Sequence, residues 1–82
     1  MRKEAKLLKY TVIFDPAEEG GYIVTVPALP GCVTQGENFE DAKKMAADAI
    51  KGYVAVLKKD NEPIPVESEE QIEAKILVSI PA

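Results

Sequence analysis

The segment Gly21 to Asn38, GYIVTVPALPGCVTQGEN, limits the folds open to this chain more than any other. Tyr22, Val24 and Val26 alternate with Ile23 and Thr25, which is the period of a half-buried strand. Pro27 and Pro30 bracket a bend, and Gly31 supplies the positive φ such a bend needs. Cys32 to Gln35 then reads as a third, short strand, closed by Gly36 and by Asn38, a good helix N-cap. Strands this short do not stand alone, so the flanking segments must pair with them and cover them.

Upstream, Leu7 to Phe14 is β-branched and aromatic, with Tyr10, Val12 and Phe14 alternating against Lys9, Thr11 and Ile13. It reads as the first strand, stopped by Asp15-Pro16. The loop DPAEEGG returns the chain as a hairpin into Tyr22, so three consecutive strands form an antiparallel meander. Met1 to Lys6 is charged and expected to be loose.

Downstream, Phe39, Ala42, Ala46, Ala49 or Ile50, Tyr53 and Leu57 recur at spacings of three and four, one apolar stripe on a helix. Glu40 and Asp41 at its start and Lys58 and Lys59 at its end suit the macrodipole, and Pro63 forbids continuation. Small Ala42, Ala46 and Ala49 allow close approach to a sheet. Gly52 costs about 1 kcal/mol inside a helix, for which a close packing contact is one explanation. After the connector Pro63-Ile64-Pro65, Ser68 to Gln71 reads as a short turn capped by Ser68. Ala74 to Ile80 reads as a fourth strand, with Ile76, Val78 and Ile80 on one face and Leu77 on the other. The expected fold is α+β, in the order β-β-β-α-β, with one helix on one face of the sheet. The other face, carrying Ile13, Ile23, Thr25 and Val33 or their alternates, and Leu77, is apolar for open water and predicts association.

At 82 residues this is one small domain, residues 1–82, with no room for a second core. A net charge of −4 gives no basic footprint for nucleic acid, so direct nucleic-acid binding is not expected and a basic protein partner suits it better. No run is long enough to span a membrane and no signal peptide opens the chain, so a cytoplasmic location is the default.

The chain contains no His and one Cys, Cys32. That removes the commonest general base and metal ligand, and leaves Cys32 as a reduced core residue rather than a nucleophile. Two carboxylate groups remain: Asp15, Glu18 and Glu19 in the hairpin loop, and Glu37, Glu40 and Asp41 near the helix start. Solvated-loop and capping roles explain them, although a metal-dependent nuclease would draw on the same residues. The glycines lack the Lys and Ser/Thr of a phosphate-binding loop. No cofactor is expected, and elimination favours a binding module over an enzyme.

Gly21-Tyr22, Val26-Pro27-Ala28-Leu29-Pro30-Gly31-Cys32, Gly36, Asp41-Ala42 and Pro63-Ile64-Pro65 together resemble the N-terminal domain of HicB-type antitoxins. The resemblance spans Gly21 to Pro65, and the preceding strand KYTVIF fits it as well. It implies a partial RNase-H-like β-β-β-α-β domain without a working nuclease site. It also implies a partner: HicA, a small basic dsRBD-like toxin that cleaves mRNA with an active-site His, which the antitoxin masks. Many members oligomerise, so a homo-oligomer, dimer or higher, is expected. Many also carry a C-terminal DNA-binding domain, which this sequence is expected to lack. The six carboxylates named above are the expected partner-binding residues. The alternatives are a degenerate or metal-dependent RNase-H-like nuclease and a stand-alone oligomeric binding protein without a toxin.

Overall fold

A computed structural model describes residues 7–68, 70 and 72–81; the expected loose terminus, residues 1–6, lies outside them. Three strands, β1 (Ile13–Pro16), β2 (Tyr22–Thr25) and β3 (Val33–Gly36), form an antiparallel meander in the order β1-β2-β3, followed by one helix, α1 (Phe39–Lys59). The fold is α+β.

The register runs Phe14–Val24–Thr34 across the inner face and Ile13–Thr25–Val33 across the outer. Helix α1 packs on β3 and, less extensively, on β2. Val24 is fully buried beside Ala42 and Ala46, with Val12, Phe14 and Tyr22 around them. Gly36 makes this close seating possible. A Cβ built there would come within 2.4 Å of Ala42 Cα and 2.5 Å of its nitrogen, which neither backbone can accommodate.

The proline-bracketed bend is part of the core. Its backbone closes on itself, with Leu29 N–H donating to Val26 O (3.0 Å), Cys32 N–H to Leu29 O (2.9 Å) and Val26 N–H to Cys32 O (3.1 Å). Gly31 takes φ +81°, as the bend requires. These bonds turn Leu29 inward to full burial with Val26 and Cys32, against Tyr10, Val12, Ala49, Ile50 and Tyr53. Tyr53 locks the bend to the helix by donating its hydroxyl hydrogen to Pro30 O at 2.7 Å.

Both helix ends are capped within the chain. Asn38 Oδ1 accepts from Asp41 N–H at 2.7 Å, satisfying one of the orphan donors of the first turn. At the other end Asn61 adopts φ 58°, and Glu62 N–H and Asn61 N–H reach back to Leu57 O and Lys58 O. This is a Schellman closure with Asn in place of Gly.

The structure corrects three expectations. The first strand begins at Ile13 and runs through Asp15 and Pro16, which pair with Ile23 and Tyr22. Proline is tolerated there because β1 is an edge strand, where a missing N–H need not break a ladder. Gly52 has nothing within 4 Å of a built Cβ, so no packing contact accounts for it.

The third correction concerns Ala74 to Ile80, which form no strand. Ile76, Leu77, Val78 and Ile80 are between 65% and 100% exposed. A strand needs a paired edge, and the tail leaves the body before reaching one. Glu67 is held at Thr11, accepting from its N–H (2.7 Å) and hydroxyl (2.8 Å), and Val66, Ser68, Ile72 and Glu73 then face Pro27 and Ala28 across a hollow. The expected Ser68 cap is present, its hydroxyl accepting from Glu70 N–H at 3.1 Å; residues 69 and 71 lie outside the described residues.

Candidate partner-binding surface

The hairpin loop and the helix start meet at one end of the sheet. Register sets this, because Tyr22 at the head of β2 lies opposite Gly36 at the end of β3. The β1–β2 loop therefore sits beside the turn leading into α1. A groove of about 440 Å³ opens there, lined by Glu19 from the loop, Gln35 from β3, Glu37 from the β3–α1 turn, and Asp41 and Met45 from the helix. Tyr22 and Ile23 line it as well. Behind it Phe14, Tyr22 and Phe39 make an edge-to-face aromatic cluster, with centroid separations of 4.9 Å between Phe14 and Phe39 and 6.1 Å between Tyr22 and Phe39.

The six carboxylates divide by position. Glu19, Glu37 and Asp41 share the groove, and of these Glu19 and Glu37 are exposed. Asp41 is partly committed to structure, since its Oδ2 accepts from Glu37 N–H at 3.0 Å while its own N–H is bonded to Asn38. Glu40 points to solvent and pairs with Lys43 at 3.3 Å, one turn on, an exposed pair of little energetic weight. Asp15 stands on the outer sheet face opposite Ile23, and Glu18 is exposed on the loop. Among the described residues no three His, Cys, Asp or Glu side chains are placed to hold a metal ion.

The outer face of the sheet is half-open and partly apolar. Ile13 and Ile23 are each 40% exposed and Val33 58%, with Asp15, Thr25 and Gln35 among them in the register. The alternation in the strands gave this face in the sequence. It did not give the contributions of Gln35 and Met45 to the groove, which depend on how α1 docks. Nor did it give a second groove, where Leu7, Leu8 and Tyr10 face Ala47, Ile50, Val54 and Ala55 of α1. Ile50 belongs to the predicted stripe; Ala47, Val54 and Ala55 lie beside it, where the widened apolar arc is the signal for them.

The family model for the HicB-like antitoxin of bacterial toxin–antitoxin systems matches residues 10–77 of this sequence. The chain belongs to the HicB-like antitoxin family. It is 49% identical over 65 residues to a UPF0150 protein of Thermoplasma acidophilum, covering 79% of this chain and 94% of that one. It is 43% identical over 61 residues to antitoxin HicB 1 of Photorhabdus laumondii, covering 74% of this chain and 39% of the relative. Against antitoxin HicB of Escherichia coli the identity is 39% over 61 residues, covering 74% of this chain and 44% of that one. The two named HicB antitoxins are thus more than twice as long as the stretch they share with this chain. The matched region contains the meander, the bend, the groove and α1. No helix among the described residues of this HicB-like chain is long and apolar enough to cross a membrane.

Proposed function

We propose that this chain, a single HicB-like domain, is an antitoxin that neutralises a small HicA-type mRNA-cleaving ribonuclease toxin by direct protein–protein contact, without catalysing a reaction itself. The observation that carries the reading is the convergence of Glu19, Glu37 and Asp41 on one groove bordered by the apolar side chains of Tyr22, Ile23 and Met45. An acidic, partly apolar concavity on a chain of net charge −4 complements a basic RNA-binding surface in sign, and such complementarity both steers encounter and fixes orientation. Family membership supports the toxin–antitoxin context.

Glu19 and Glu37 are the principal contacts in this proposal, with Asp15 and Glu18 on the neighbouring loop and sheet face and Glu40 at the periphery. Asp41 shapes the turn that presents Glu37. The same reading puts the chain in the cytoplasm, where a toxin of this kind meets its mRNA, and includes self-association into a homo-oligomer. Contact with nucleic acid falls to the toxin rather than to this acidic chain.

The test is co-expression with the product of the adjacent reading frame, followed by affinity capture through a tag on this chain. A stoichiometric complex with a small basic His-containing protein, and loss of that protein's toxicity in the co-expressing cells, supports the proposal. Failure to retain the neighbour, with both proteins soluble, overturns it.

A further inference from the structure

The segment after residue 71 has the pattern of a strand but no strand partner. Ile72, Ala74, Ile76, Val78 and Ile80 fall at every second position, with Glu73, Lys75, Leu77 and Ser79 between them. In an extended chain this sets a wholly apolar row against a mixed one. Ile72 is 90% exposed and Ile76 81%, so in the isolated chain the apolar row stands in water. A row of this kind is stable only when laid on another surface.

The body of the same chain offers a surface that matches it. The order β1-β2-β3 leaves β1 at the edge of the sheet, and α1 packs chiefly over β3 and β2, meeting β1 through Phe39 against Phe14. Between the residues leading into β1 and the flank of α1 runs an apolar groove of about 490 Å³. Leu7, Leu8, Tyr10, Ile50, Val54 and Ala55 line it. The helix-facing side chains of a strand added beside β1 would fall into this groove. The chain's own tail is directed elsewhere, because the bonds from Thr11 to Glu67 tie it down and Val66, Ser68, Ile72 and Glu73 face Pro27 and Ala28.

We propose that two copies of the chain exchange these segments. Residues 72–80 of each copy lie as a fourth strand beside β1 of the other, with Ile76, Val78 and Ile80 seated in the groove. Each copy gives one tail and receives one, so the arrangement closes as a symmetric dimer with no surface left to propagate. The exchange also covers the open edge of β1, which is otherwise a template for aggregation. This refines the self-association proposed above and does not depend on toxin binding. It is tested on the purified chain alone, so its failure leaves the toxin reading untouched.

The full chain, with Cys32→Ser to remove the native thiol, is made in two forms, one carrying Ala55→Cys and the other Val78→Cys. The two are mixed, allowed to exchange and treated with a short bis-maleimide. The proposal predicts a covalent pair containing one copy of each form, and a parent chain that is dimeric by light scattering. It also predicts that Ile76→Asp with Val78→Asp gives a monomer whose helical circular dichroism is retained. A monomeric parent, absence of the mixed pair, or a dimer that survives the double substitution overturns it. So does an efficient link within one chain when both cysteines are placed in the same copy.

Discussion

Gly36 lies so close beneath α1 that a Cβ added to it would sit 2.4 Å from the Cα of Ala42. Two residues six apart in sequence thus set the distance between sheet and helix, and through it the shape of the groove that Glu37 and Asp41 share with Glu19. Gly36→Ala must push α1 outward or bend the end of β3. The expected cost is about 1–3 kcal/mol, the range for overpacked cores. Urea unfolding monitored by circular dichroism measures it, and a variant as stable as the parent would show that the helix is free to retreat.

Gly52 gives the opposite result. It lies inside α1 with open space where a Cβ would go, so only the helix propensity of glycine counts there. Gly52→Ala is expected to stabilise the fold by about 1 kcal/mol. A loss of stability in the same unfolding experiment would mean that a partner or second copy packs against that position.

Burial raises the pKa of the Cys32 thiol above its ordinary value, and burial followed by the charge of Glu67 raises that of Tyr10. In both cases the folded state holds the proton more tightly than the unfolded chain. The associated stability is therefore complete below the unfolded pKa and is lost as pH rises through the folded one. The window opens near the ordinary thiol value of about 8.5. Melting temperature should fall with pH above that point, and Cys32→Val, which removes one of the two groups, should fall less steeply. Identical slopes for the two proteins would contradict the assignment to Cys32.

The sequence shows local chemistry well and distant docking poorly. Asn38 as the cap, the inward row Tyr10, Val12 and Phe14, and the outward row Ile13, Ile23 and Val33 all follow from short-range periodicity. The full burial of Leu29 does not, because a segment bracketed by Pro27 and Pro30 reads as a surface bend until its three internal bonds turn the side chain inward. Glu19 and Glu37 were legible as separate acidic groups, and only the strand register brings them to one groove. Residues 74–80 have a strand's pattern because β-propensity expresses a fit to a neighbouring strand. The pattern alone does not say which edge, or which copy, supplies that neighbour.

Neutralisation of a basic ribonuclease is the role proposed for the acidic groove. It is tested most directly by titrating the purified chain into the RNA-cleavage reaction of the toxin encoded beside it, in parallel with Glu19→Lys/Glu37→Lys. The parent chain is expected to stop cleavage stoichiometrically. The double charge reversal should weaken inhibition by at least about tenfold, within the range for groups in close charge pairs, while the fold stays intact by circular dichroism. Undiminished cleavage at excess parent chain, or equal inhibition by the parent and the charge-reversed form, would contradict it.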